Sequence, residues 1–410
     1  MAKDYFIHFA QAHTEFRLPE LQSISELYGF SVSLPTDPQE QNPSRPFMIV
    51  GLESEDHARL LAGRCILVRA VYELWARGTS YTQLHAMNAS RKHIWESYQP
   101  GTSFKFNVSS VNHTIPQARQ REVMENFSYM AFQGPIDMKN PGIIMSCFEE
   151  CKSIISSLIK RNDGDFKEAF FGKLVAEGSA RSLISKFDVK KRVYFGNTSM
   201  ESEVSLLMAN QAQAGPGKIV YDPFAGTGSM LYTSAHFGAF VFGSDIDGRT
   251  MRGKNPKSSP GVVRAAQQYG VGTRLIDCCT FDVTKNPWRC GGIMDAIVTA
   301  HLILDSPQDG VRAGAKRLGR KEGRELRDMS RAAKDGTYIP PTKPYELSEL
   351  AADLVTLSRY LLKPGGRLVF FLPTVTDEYE EVDVPTCEGM TLVANSMQNF
   401  GKWGRRVCVS

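Results

Sequence analysis

The sequence predicts an α/β protein in two parts, a regular strand and helix alternation over residues 190–410 and a mixed α+β region over residues 1–189. Three observations carry this. Short apolar runs at 218–221, 239–244 and 293–299 are separated by helix-like stretches, the arrangement that builds a parallel sheet with helical crossovers. The first of these runs passes straight into Asp222-Pro-Phe-Ala-Gly-Thr-Gly228, and 229–235 reads as a helix start, so a glycine-rich turn joins strand to helix. Residues 1–75 instead order strand, helix, turn-rich segment, strand, helix and strand, as an α+β layer does.

In the first part, 5–9 and 47–52 read as strands around a helix at 18–28 and a turn-rich segment at 35–46. A helix at 55–62 stops at Gly63, and 65–75 is a strand. Residues 103–109 alternate with period two, 127–132 read as a further strand, and 166–178 as the strand that closes the region. A helix at 180–188 leads into the basic crossing Lys190-Lys191-Arg192. Thr198 or Ser199 caps the next helix, with Glu201 and Glu203 in its first turn where the helix dipole favours acids. Gly215-Pro-Gly217 ends it. Later, Pro364-Gly-Gly366 turns a helix into a buried strand, and 389–393 pair with 405–409 as a closing antiparallel hairpin.

A chain of 410 residues holds two or three cores, and 42% hydrophobic with 22% charged residues is the composition of a soluble globular protein. The net charge of +4 is too small to define a nucleic-acid partner. Its distribution says more: residues 151–200 carry ten Lys/Arg against five Asp/Glu, and 311–335 nine against four, so two basic regions are available to phosphate. The eight cysteines form no Cys-x-x-Cys pair and no regular framework, which predicts reduced thiols and no metal site. The amino terminus lacks a signal-peptide core, and no run nears the ~18 apolar residues of a membrane span. A cytoplasmic or nuclear protein is expected.

Chemistry concentrates at the glycine turn. Gly226 and Gly228 carry no Cβ, so the backbone passes close to a ligand, and Asp222 at the strand's carboxyl end accepts from a cationic or hydroxylated group. A dinucleotide fingerprint requires glycine where Leu231 stands. A phosphate loop requires a hydroxyl after Gly253-Lys254, where Asn255 stands. Seventeen residues past Gly228 the next strand ends in Asp245-Ile246-Asp247, and an acid at that spacing accepts from ribose hydroxyls, which assigns Asp245. Asp282 follows a third stretch, in a context that also suits a helix cap.

Asp222-Pro223-Phe224-Ala-Gly226-Thr227-Gly228 resembles the first motif of class I S-adenosyl-L-methionine methyltransferases, and the helix end, Pro364-Gly-Gly366 turn and buried strand are shared with them. Together with Thr198-Ser-Met-Glu201, Gly243-Ser-Asp-Ile-Asp-Gly-Arg249, the segment 310–319, the segment 338–345 and Lys402-Trp-Gly-Arg-Arg406, nearly the whole chain resembles the catalytic subunit of the eukaryotic tRNA (guanine-10-N2)-methyltransferases. That resemblance implies a class I, Rossmann-like methyltransferase sheet behind an amino-terminal THUMP-containing tRNA-binding region. It implies S-adenosyl-L-methionine held by Asp222, Pro223, Phe224, Gly226, Thr227, Gly228, Asp245, Ile246, Asp282, Thr198 and Glu201. It implies a guanosine exocyclic amine of tRNA as acceptor, and a small zinc-binding activator subunit as partner. Lys190, Lys191, Arg192, Arg312, Lys316, Arg317, Arg320 and Arg324 are the expected RNA contacts.

In one place the chain departs from the family. An Asp-Pro-Pro-Tyr motif is expected after the strand at 293–299, where its carboxylate and a proline carbonyl accept from the amine and its ring stacks on the base. Ten residues, 300–309, stand there instead, with Asp305, Pro307 and Asp309 as partial substitutes and no Tyr, Phe or Trp. Two readings follow: a wrong splice boundary taken in translating the gene, or a catalytically inactive tRNA-binding paralogue that keeps the cofactor fold.

Overall fold

The computed structural model describes residues 2–111, 114–151, 154–156, 159–161, 165–196, 199–253, 261–300, 315–317, 342–344, 347–375, 384–400 and 403–410. The chain forms two compact units, Met1–Thr14 with Tyr28–Arg181, and Glu15–Leu27 with Ser182–Ser410. Most of helix α1 (Arg17–Tyr28), which the sequence places in the first part, therefore belongs by its contacts to the second unit.

The first unit is built on a six-stranded sheet in the order β2-β1-β3-β8-β5-β4. Its strands are β1 (Lys3–Phe9), β2 (Phe47–Leu52), β3 (Val68–Gly78), β4 (Phe104–Val111), β5 (Ile143–Cys151) and β8 (Phe166–Glu177). The short strands β6 (Ile154–Ser156) and β7 (Ile159–Arg161) pair as a separate ribbon. Within the sheet only β4 and β5 run parallel. The central strands β3 and β8 are buried along most of their length, and charges they carry are paired, Arg77 with Glu168 and Lys173 with Glu73.

Helices α2 (Glu55–Arg64), α3 (Tyr81–Ser90), α4 (Lys92–Trp95) and α5 (Gln117–Asn126) complete the unit. Ser54 and Ser80 cap α2 and α3 by accepting from the His57 and Gln83 amides. Around Trp75, Phe171 and Phe127 one core forms, and Phe6 among Phe47, Phe148 and Phe170 makes a second. The strand expected at 127–132 is a 3-10 turn, Ser128–Met130: the Phe127 ring lies 4.1 Å from Phe171, and Ala131 has φ +50°, which no strand accommodates. Nor does Gly63 stop α2. The Cys65 amide still donates to the Leu61 carbonyl at 2.8 Å, so the ladder outlasts the modest propensity cost of glycine.

The second unit carries a seven-stranded sheet in the order β11-β10-β9-β12-β15-β17-β16. Here β9 is Ile219–Asp222, β10 Phe240–Asp245, β11 Leu275–Thr280, β12 Met294–Thr299, β15 Leu362–Val375, β16 Ala394–Asn399 and β17 Trp403–Val409. Strands β9 to β12 and β15 run parallel, while β17 lies antiparallel between β15 and β16. Short β13 (Ala315–Arg317) and β14 (Thr342–Pro344) pair with each other. The helices are α6 (Ser182–Lys186), α7 (Ser202–Gln211), α8 (Ser229–His236), α9 (Gly248–Arg252), α10 (Gly261–Gln268) and α11 (Leu347–Leu361).

Three expectations are corrected here. The closing hairpin pairs β16 with β17, so its first strand is Ala394–Asn399 and not 389–393; Gly389 has φ +80° and leans on Arg359 instead. Glu201 sits at the amino-terminal boundary of α7, one residue before the helix, and makes no capping bond. The Pro364-Gly-Gly366 turn becomes an irregularity inside β15, where Gly365 takes φ +76° and the pairing with β12 shifts register. No helix among the described residues is long and apolar enough to cross a membrane.

Helix α1 is held in the second unit by polar contacts. Asn210 Nδ2 donates to Glu20 at 2.7 Å, and Arg367 Nη1 donates to Ser23 Oγ at 2.8 Å and to the Gln211 carbonyl at 2.9 Å. Arg367 also pairs with Glu26, and the Met397 amide donates to Glu15 at 2.8 Å. Glu20, Ser23 and Arg367 are all buried, so each relies on these partners. Arg367→Ala in the full chain is expected to cost about 1–3 kcal/mol of stability, the penalty for leaving buried polar groups unpaired. Denaturant unfolding checks this, and an unchanged midpoint would make the docking of α1 purely apolar.

Candidate active site

Strand order reverses at β9, which lies between β10 and β12, and the crevice at such a reversal is where open α/β sheets bind ligands. The glycine turn leaves β9 there. Gly226 takes φ +51° and Gly228 φ +86°, conformations that an L side chain rarely adopts. At Gly228 a second constraint acts, because a Cβ would stand 2.6 Å from the Tyr232 hydroxyl oxygen. That hydroxyl donates to the Thr227 carbonyl at 2.7 Å. The turn is thus tied back to the helix it opens.

The acids do different work. Asp245, at the end of β10 and 6% exposed, accepts the Gly226 amide at 2.9 Å through Oδ2 and the Asp247 amide at 2.8 Å through Oδ1. It braces the glycine turn from the neighbouring strand. Asp222, 2% exposed, accepts the Phe224 amide at 3.0 Å, and burial pushes its carboxyl up to about 7. Asp282 is buried and accepts from the Thr284 amide and hydroxyl at 3.0 and 2.8 Å, the local turn bonding that its sequence context allowed.

A pocket opens over this turn, lined by Met200, Phe224 and Met230 as apolar walls and by Asp222, Thr227 and Ser229 as polar ones. Ala225, Gly226 and Ala300 complete it. Of the residues expected from sequence, Asp222, Phe224, Gly226 and Thr227 come together here. Pro223 supports from outside the lining, its carbonyl accepting Ser244 Oγ at 3.2 Å. Gly228 occupies the cap position of α8, and Ile246 is half-buried next to Asp245. Met200, Ala225, Ser229, Met230 and Ala300 were not expected. Ser229 adjoins the motif and was within reach of sequence reasoning, whereas Met200 and Ala300 arrive from other elements.

Other expectations fare differently. Glu201 is engaged elsewhere, by the Arg405 guanidinium and by Gln398 Nε2 at 2.8 Å. Lys190 and Lys191 are exposed, with Lys191 Nζ donating to Ser185 Oγ at 2.8 Å. Arg192 is corrected: expected on an RNA-facing surface, it is buried with its guanidinium carbon 4.9 Å from the Tyr232 ring centre. Lys316 and Arg317 belong to β13, whose backbone pairs with β14. Thr198, Asp305, Pro307, Asp309, Arg312, Arg320 and Arg324 lie outside the described residues.

The sheet order, with its antiparallel β17, and the acids that follow successive strands around a glycine turn define a class I methyltransferase domain. Residues 3–181 match the family model described as the Tmrp11 THUMP N-terminal domain. The tRNA (guanine(10)-N(2))-methyltransferase of Saccharomyces cerevisiae is 37% identical over 99% of this chain and 92% of its own length. That of Schizosaccharomyces pombe is 34% identical over 98% and 88%. Among solved structures, TrmN from Thermus thermophilus aligns over 99% of this chain and 98% of its own, with 18% identity and a TM-score of 0.44. The chain belongs to the tRNA (guanine(10)-N(2))-methyltransferase family.

Two substitutions check the turn. Gly228→Ala is expected to lower stability by at least about 1 kcal/mol, since the new side chain meets both the positive φ and Tyr232, and thermal unfolding reads it. Asp222→Asn is expected to stabilise in a pH-dependent way. The raised folded-state pKa means that wild-type stability is fully present below the unfolded value near 3.8 and is lost as pH rises through about 7. The gain from Asn therefore grows between those limits and stays constant above, at a slope of about 1.4 kcal/mol per pH unit. A pH-independent difference in unfolding free energy would contradict the burial argument.

Proposed function

We propose that this chain transfers a methyl group from S-adenosyl-L-methionine to the exocyclic N2 amine of guanosine 10 in tRNA, in the cytoplasm and with a small zinc-binding activator subunit. The near full-length identity to enzymes of that name carries the reading. The lining suits the cofactor chemically, with glycines at 226 and 228, an apolar wall at Phe224 and a buried carboxyl at Asp222.

The cofactor supplies an electrophilic methyl group on a sulfonium. Asp222 accepts from the ammonium of its amino-acid end, which also lowers the cost of ionising a buried carboxyl. Asp245 accepts from ribose hydroxyls, so one side chain both braces the turn and orients the sugar. Ile246 packs beside the adenine, and Asp282 accepts from its amine. Thr198 serves the same pocket from the segment before α7, while Glu201 is held by Arg405 and Gln398. The first unit and the basic positions Arg312, Lys316, Arg317, Arg320, Arg324, Lys190 and Lys191 hold the tRNA backbone. The acceptor amine is aligned by the segment 300–309, with Asp305, Pro307 and Asp309 standing in for the family's Asp-Pro-Pro-Tyr. With no Tyr, Phe or Trp there, stacking of the base is the weakest part of the device.

Transfer from labelled S-adenosyl-L-methionine to a tRNA lacking this methyl group, with the activator present, tests the reading. Replacing residues 300–309 by Asp-Pro-Pro-Tyr is expected to raise transfer at least 10²-fold, the scale on which misplaced reacting groups cost rate. Equal activity of the two chains would assign amine alignment to Asp305 or Asp309. Cofactor binding without transfer in both would favour a tRNA-binding paralogue.

A further inference from the structure

Arg192 is an unusual group to find behind a cofactor turn. It is 4% exposed, and among the described residues no carboxylate pairs with it. Its partners are neutral: Nε donates to the Tyr269 hydroxyl at 3.2 Å, Nη1 donates to Ser229 Oγ at 2.9 Å, and the guanidinium carbon lies 4.9 and 5.8 Å from the ring centres of Tyr232 and Tyr269. Ring faces offset part of the cost of burying the charge, but they do not cancel it. A positive field is therefore left directly behind the glycine turn.

Ser229 transmits that field. Its Oγ accepts from Arg192 Nη1 and also from the Met200 amide at 3.2 Å, which occupies both lone pairs. The hydroxyl proton then has to go elsewhere, and among the described residues no acceptor takes it. Ser229 lines the pocket over the turn and is the first residue of α8, where the helix dipole adds further positive potential. A hydroxyl polarised by a guanidinium, with its proton uncommitted, is a donor for an anionic oxygen.

Across the same pocket stands Asp222, whose carboxylate suits an ammonium. We infer that Arg192, acting through Ser229, forms the receptor for the carboxylate of the cofactor's amino-acid end, opposite the Asp222 site for its ammonium. This rests on the S-adenosyl-L-methionine reading of the pocket and adds to it a residue that distinguishes an amino acid from a simple amine. Arg192 is a positioning residue here, and Ser229 makes the contact. The arrangement also explains why arginine rather than lysine stands at 192: a planar fork satisfies Ser229 and Tyr269 together while its face rests on Tyr232.

Calorimetric titration of the full chain with S-adenosylhomocysteine and with its decarboxylated analogue, which keeps the amine and thioether, tests this. The unaltered chain is expected to prefer S-adenosylhomocysteine by roughly tenfold to a hundredfold, the worth of a hydrogen bond to a charged group. Ser229→Ala and Arg192→Met are each expected to remove most of that preference while leaving affinity for the analogue unchanged, and Arg192→Lys to recover part of it. Should Arg192→Met fail to fold, Ser229→Ala carries the comparison. Loss of affinity for both ligands by the same factor would reduce Arg192 to a support for the turn and overturn the proposal, as would variants that keep the full preference. Binding of neither ligand by the unaltered chain would instead sink the cofactor reading itself.

Discussion

The second unit depends on the close approach of Gly228 to the Tyr232 ring. Only a residue without Cβ leaves the Tyr232 hydroxyl room to reach the Thr227 carbonyl at the start of α8. Asp245 completes the constraint from β10 by holding the Gly226 amide. Turn, strand end and helix start thus become one rigid element, as preorganised binding requires. Any ligand over the turn meets backbone whose ordering entropy has already been met by folding.

Charge placement around that element follows from burial. Asp222 and Arg192 are both nearly inaccessible, and neither has a partner of opposite charge close by in the described chain. Buried, unneutralised groups cost stability and persist where a ligand offsets the cost, which is why such groups mark functional sites. In the first unit, by contrast, buried charges neutralise one another: Lys173 donates to Glu55 at 2.9 Å and lies 3.6 Å from Glu73, while Arg45 pairs with Glu150. Those pairs are structural, and the contrast singles out the glycine turn.

Much of the architecture was legible in the chain. The apolar runs that became β9, β10 and β12 are short, unambiguous and bounded by turn residues, so period and punctuation agreed. Where local and tertiary preferences diverged, reading failed. The stretch 127–132 is rich in aromatic residues and looks like a strand, yet its rings are used to fill a core from a 3-10 turn. Residues 389–393 read as a strand, but the Gly389 backbone and the register of β17 placed the hairpin five residues later. In both cases the sequence carried the right composition and lacked the partner that decides its use.

The sequence by itself determined the class of domain, the turn, and the identity of Asp222, Gly226, Gly228 and Asp245, because each of these follows from contacts within one strand-turn-helix or from one fixed spacing. Only the tertiary structure decided what Arg192 does. A basic tripeptide ahead of a domain reads as surface, and nothing in residues 190–192 tells which of the three turns inward. Tyr232, Tyr269 and Ser229 lie 37 to 77 positions further along the chain, and they make the cavity that takes Arg192. The same holds for α1, whose Glu20, Ser23 and Glu26 find their partners about 190 to 344 residues away. Long-range polar partners leave no periodic trace in sequence, since hydrogen bonding depends on where two atoms meet and not on how far apart they are in the chain.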